Sequence, residues 1–237
     1  MKAASPWWIL ATPFLPVLAL APGGLWLLPL LAPLTLYPAF VVRVRDGRFF
    51  QAWQLGIAWA ALLSAGIIAL VFVAPEAARA GIFHGEAYRQ EMFGWINTGV
   101  APENDWRAFL PTHALHFAVF LLLTWVSAGY LGLVLGAALL GYMSYFVGCY
   151  AAASGHPLLG SLAAWVPWSV LRVLAYVLVG TLFARPLLVR RLWPFDRQDL
   201  TLLALAASGL VGDVLIKAFL APGYGVFLRQ MAGGLLP

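Results

Sequence analysis

The sequence predicts an all-α fold: a polytopic transmembrane helical bundle of six to seven spans with one interfacial outer loop and helix, built as a single integral membrane domain over 1–237. Three observations lead there. Of 237 residues, 63% are hydrophobic and only 10% are charged, whereas a soluble domain is nearer about a quarter charged. No charged residue occurs between Lys2 and Arg43. Further charge-free runs cover 49–75, 117–155, 157–171 and 200–212. A helix needs about 20 apolar residues to cross a bilayer core, and several of these runs supply them.

The first run is rich in proline. Seven prolines lie between Pro6 and Pro38, and each one inside a helix removes a backbone hydrogen bond and crowds the preceding turn. "APGG" at 21–24 is the natural turn within 7–42. It leaves a first piece too short for a straight α-helical span and a second piece of full length, so the segment reads as a hairpin or a re-entrant helix followed by a span. The "ALA" at 19–21 imitates a signal-peptide cleavage site, but Pro22 directly after it disfavours cleavage.

"RVRDGR" at 43–48 is a basic turn, and a span follows at 54–74. Residues 75–112 form the outer loop, with Glu76, Glu86, Glu91, Glu103 and Asp105 against Arg79, Arg89 and Arg107. The tryptophans and tyrosines of "EMFGWINTG", "NDWRAF" and "YMSYF" suit an interfacial helix and span ends. Residues 113–153 would make one helix of roughly 60 Å at about 1.5 Å per residue, twice a bilayer core. They are therefore read as a Gly-rich helical hairpin turning within 127–136. A span at 159–184, a basic loop at 185–199 and a last span at 200–220 complete the chain.

The net charge of +5 is dispersed over loops, which excludes a nucleic-acid footprint and orients the bundle instead. Arg43, Arg45, Arg48, Arg185, Arg190, Arg191 and Arg197, with Lys2, fall on one side. The positive-inside rule makes that side cytoplasmic and predicts a multi-pass protein of the cell inner membrane. The single cysteine, Cys149, rules out an internal disulfide framework.

Three charges interrupt the apolar spans: Arg172 in "SVLRVLAYVLVG", and Asp213 and Lys217, four apart on one helix face. A charge at bilayer centre costs about 2.5–3.5 kcal/mol on an insertion scale, so these residues are expected to face protein. One reading is an Arg172–Asp213 lock between two helices, with Lys217 snorkelling outward. The other is a polar core that lines a pathway or meets another subunit. Gly129, Gly132, Gly136 and Gly141 form a helix-packing set, Gly132 and Gly136 in G-x-x-x-G spacing. All four histidines fall on the outer side. His84, Glu86, Glu91, His113 and His116 offer imidazole and carboxylate for a possible metal site, although no H-E-x-x-H occurs.

"PWSVLRV" at 167–173 and "GDVLIKAFLAP" at 212–222 resemble two short pieces of the stage II sporulation protein M family, P-H-G-x-x-E-L and I-E-A-F-x-x-P. The resemblance extends over about 75–222. It departs at Trp168-Ser169, which replace the family's His-Gly, and at Arg172 and Lys217, which stand where the family has glutamates. The resemblance implies a non-enzymatic membrane subunit, an anchor for partners or a companion of transporter-like or envelope systems.

The expected function is a scaffold or subunit of a cell-envelope or transport complex. It would need no cofactor, and its partners would be membrane lipid and other membrane subunits or further copies of itself. Two alternatives stand beside it: a permease using Arg172, Asp213 and Lys217, and an outer-face metal-dependent enzyme.

Overall fold

The computed structural model describes residues 6–21, 23–100 and 105–237; Lys2, Pro22 and Glu103 lie outside them. The described chain is all-α. A 3-10 segment, Pro6–Leu20, leads into α1 (Gly24–Leu31), a 3-10 turn (Ala32–Thr35) and α2 (Tyr37–Arg45). There follow α3 (Phe49–Val73), α4 (Pro75–Gly81), α5 (Gly85–Thr98), α6 (Trp106–Val126) and α7 (Tyr130–Ala153). The chain continues as α8 (Pro157–Ala164), α9 (Pro167–Phe183), α10 (Arg185–Val189) and α11 (Arg197–Met231). Five helices, or six if the bent α1–α2 pair counts as one, are long and apolar enough to cross a membrane.

The two arms of the proline-rich start, before and after residues 21–23, pack against each other, but the first arm is not α-helical. Pro13 and Pro16 deny it α-helical bonds, and it winds as a 15-residue 3-10 helix. At about 2.0 Å per residue this covers roughly 30 Å, against about 22 Å as an α-helix. A piece too short to span as α-helix thus reaches about the depth of a hydrocarbon core. Ile9, Thr12, Pro16 and Ala19 face inward, the near-threefold repeat of such a helix. They lie on α3 and α4, where a Cβ added at Gly66 or Gly81 would come within 2.3 Å of the Pro13 or Ala19 carbonyl oxygen. The expected full span after the turn is broken by a 43° bend between Thr35 and Tyr37, flanked by Pro33 and Pro38.

Two other boundaries move. The span expected at 159–184 is interrupted at Trp165–Val166, because Pro167 forces Val166 to extended backbone, φ −58° and ψ 138°. The last helix does not stop near 220. It continues through Pro222 to Met231, supported where the Tyr150 hydroxyl donates to the Leu228 carbonyl at 2.7 Å and that of Tyr224 to Ala163 at 2.9 Å. The 113–153 hairpin turns at residues 127–129, where Gly129 takes φ 96°.

Helix α7 is the central element, with one hydrophobic core between it, α3 and the N-terminal segments and a second among α5, α7, α9 and α11. Ser144 of α7 donates to Ser64 of α3 at 3.0 Å in the first core. Arg185 ties the basic end together: it pairs with Asp199, which is 2% exposed, and lies 4.6 Å over the Phe49 ring. At the opposite end the chain folds back on α5. Asn97 exchanges two hydrogen bonds with Leu236, and Arg229 donates to the Asn97 carbonyl at 3.0 Å. Trp95, expected at an interface, is fully buried and stands edge-on to Trp168, with ring centres 6.2 Å apart.

Candidate functional site

Because Pro167 starts α9 afresh, Arg172 sits in its second turn, nearer the α5 end of the bundle than the centre of a 159–184 span would have put it. It faces the middle of α11. Nε and Nη2 of Arg172 each donate to a carboxylate oxygen of Asp213 at 2.9 Å, a two-bond fork. Such planar pairing is what distinguishes arginine from lysine at a buried carboxylate. The fork ties the segment 167–173 at the start of α9 to the segment 212–222 within α11.

Lys217 lies one turn beyond Asp213. It does not snorkel: its side chain is 0% exposed, and Nζ lies 3.9 Å from the centre of the Phe109 ring of α6. Buried this deeply, the ammonium lies against the electron-rich face of the ring, a cation–π contact. One turn farther along α6, His113 Nδ1 is 2.9 Å from the Phe109 carbonyl. A carbonyl only accepts, so that nitrogen carries the proton.

Of these groups, Arg172, Phe109 and His113 line a chamber of about 730 Å³ bounded by α3, α6, α7 and α9, with α5 at one end. Its polar pole carries Arg172, His84, His113, His116, Tyr88 and Glu91. Its waist is aromatic: Tyr176 sits between Phe117 and Phe120, at 5.5 and 4.8 Å. The rest of the wall is largely apolar or small, including Trp59, Leu133, Gly136 and Gly180. From Phe109 to Thr124 the chamber follows α6 for roughly 22 Å, at about 1.5 Å per residue.

The proposed metal ligands are divided by this arrangement. His84, Glu91, His113 and His116 line the chamber, but among the described residues no group of three or more His, Cys, Asp or Glu side chains converges as metal ligands would. Glu86 points elsewhere. It accepts from Arg89 Nε and Nη2 at 3.0 and 2.7 Å, from Gln90 at 3.1 Å and from the Tyr145 hydroxyl at 3.1 Å. The Arg89 hydrogen bonds hold its pKa down at about 2, outweighing its partial burial. So saturated a carboxylate is a structural tie between α5 and α7.

The packing glycines also separate. A Cβ on Gly132 would lie 2.0 Å from Thr124 Oγ1, so this glycine sets the approach of α7 to α6. A Cβ on Gly136 would meet nothing within 4 Å, because this position opens on the chamber. At Gly141 such a Cβ would meet, among the described residues, Ile82 at 3.9 Å, an ordinary contact that requires no glycine. Sequence reasoning missed Tyr176, Phe120 and the chamber itself. The run of aromatic and histidine residues along 109–120 was the available signal.

Comparison of the chain with models of known protein families, with curated proteins and with solved structures finds no match.

Proposed function

We propose that this chain is a multi-pass membrane protein of the permease class, which takes a small molecule into the chamber between α3, α6, α7 and α9. The observation that carries this reading is the chamber, about 730 Å³ in volume, lined by Arg172, three histidines, Tyr88 and Glu91 toward α5 and by Thr124 and Thr181 farther along. Interiors of packed proteins leave few voids larger than a water molecule, and small-molecule sites occupy about 300–1,000 Å³. In this reading the Arg172–Asp213 fork is the frame that fixes α9 to α11 beside the chamber. The basic end, with the seven arginines at 43–48 and 185–197, faces the cytoplasm of a cell inner membrane, because the opposite end carries only Arg79, Arg89, Arg107 and Arg229.

The scaffold reading is favoured by the fork itself, which closes a buried charge pair as a static lock would. Native mass spectrometry of the protein purified in mild detergent decides between them, with Gly136→Phe as the chamber-filling variant. A stoichiometric small molecule on the wild type that is absent from the variant supports the permease reading. A stoichiometric protein partner without any small molecule replaces it with the scaffold.

A further inference from the structure

We infer that the basic end of the bundle is a binding surface for anionic phospholipid, with the phosphate held by Arg190 and Arg191 and the adjoining Leu192 and Trp193 seated among the acyl chains. This goes beyond the chamber. It rests on the helices crossing a bilayer and not on what the chamber takes.

The segments 43–48 and 185–199 carry seven arginines against three aspartates, and each aspartate has a use within the fold. Asp46 pairs with Arg48, and Asp199 with Arg185. Asp196 caps α11, accepting from the Asp199 backbone N–H at 2.9 Å. Arg43 turns back on its own helix and donates to the Ala39 carbonyl at 3.0 Å. Arg45, Arg190, Arg191 and Arg197 are exposed, and among the described residues no carboxylate pairs with any of them. The opposite end has no comparable excess: Arg79, Arg89, Arg107 and Arg229 stand against five carboxylates of 75–112.

The fold brings the two basic segments together. Arg185 lies 4.6 Å over the ring of Phe49, directly after the 43–48 turn, and α10 packs against α2, α6 and α9. Arg190 ends α10 in the left-handed conformation, φ 56°, and the Arg191 N–H returns to the Pro186 carbonyl at 3.0 Å. This closed turn holds both arginines between the end of α9 and the start of α11. Leu192 and Trp193 follow, 84% and 73% exposed. The loop is nonetheless tied down: the Trp193 ring stands edge-on to Phe195 at 4.9 Å, and Phe195 meets Phe183 of α9 at 5.7 Å.

Exposed tryptophan and leucine beside unpaired arginine suit the boundary between hydrocarbon and head groups. An indole rests at head-group level, and a guanidinium on its apolar stem reaches outward from there. Phosphate is the group it meets, and the guanidinium fork binds phosphate oxygens through two parallel hydrogen bonds. A zwitterionic lipid brings a cation along with its phosphate and gains less from a field that is already positive. Anionic lipid is therefore the partner that the charge selects.

The test uses the full chain in detergent, stripped of co-purified lipid, with dioleoyl phosphatidylglycerol and dioleoyl phosphatidylcholine titrated separately and read by native mass spectrometry. Matched chains leave the head group as the difference. One arginine near an anionic surface is worth about fivefold in affinity, so the wild type should bind phosphatidylglycerol at least about tenfold more tightly than phosphatidylcholine. Arg190→Gln with Arg191→Gln, checked for a monodisperse helical protein, should lose most of that preference. Arg190→Lys with Arg191→Lys keeps the charge and should retain it. Leu192→Ser with Trp193→Ser should weaken both lipids alike, and unchanged binding there removes the apolar seat. Gly136→Phe, which fills the chamber, and Arg79→Gln with Arg107→Gln, at the opposite end, should each leave the preference intact. Equal affinity of the wild type for the two lipids overturns the inference and leaves the chamber reading untouched. A preference undiminished by the glutamine pair at Arg190 and Arg191, or lost equally in Arg79→Gln with Arg107→Gln, overturns the location. If the lipids bind alike, yet an acidic protein co-purifies with the wild type and is lost from that glutamine pair, the surface serves a protein and the inference fails.

Discussion

Arg172 and Asp213, forty-one residues apart, share a two-bond fork across α9 and α11, with the carboxylate almost wholly enclosed. Removing one member of such a pair leaves the other charge buried, which costs about 3–5 kcal/mol, whereas replacing both with apolar residues is often neutral. Arg172→Leu and Asp213→Leu should therefore each lower the thermal unfolding temperature in detergent substantially. The double variant should recover most of the loss. Additive losses in this double-mutant cycle would show that the fork is not the unit that joins α9 to α11.

Glu86 supplies a pH dependence with a definite sign. Its folded pKa, held at about 2 by Arg89, lies below the ordinary carboxylate value, so its contribution to stability is present above that ordinary value. The contribution fades as pH falls through the interval down to about 2. Thermal stability should decline over that window in the wild type. In Glu86→Gln the part due to this group should be missing at pH 7 and add no slope below pH 5. An identical acid slope in both proteins would remove Glu86 from the account.

Two glycines of one G-x-x-x-G should respond with opposite signs. Gly132→Ala drives a methyl into Thr124 Oγ1, an overpacking that typically costs about 1–3 kcal/mol. Gly136→Ala meets open space and should stabilise the helix by about 0.5–1 kcal/mol through reduced backbone freedom. Chemical or thermal unfolding of the two variants in one detergent measures the difference.

Asn97 grips the backbone of Leu236 from both sides, at 3.0 and 2.8 Å. Asn97→Ala removes both hydrogen bonds, each worth about 1 kcal/mol. Amide exchange at Leu236 should accelerate by at least about tenfold while α7 retains its protection. Unchanged exchange at Leu236 would mean that packing, rather than Asn97, holds the chain end.

The sequence by itself determined the solvent of this protein and much of its segmentation. Charge-free runs longer than a bilayer require apolar helices, the glycine cluster at 127–136 marks a turn, and a charge inside a span requires shielding from lipid. What it left open follows from the same composition. In water a helix declares its inner face by an apolar stripe. In lipid both faces are apolar, so nothing in the pattern distinguishes Gly132, against α6, from Gly136, against the chamber. Rotation of each helix about its axis is set by packing with its neighbours. Tertiary structure alone therefore decided that Lys217 turns onto Phe109, that Trp95 is buried against Trp168, and that α11 continues through Pro222. It also decided the chamber, because a space between four helices belongs to no single segment of the chain.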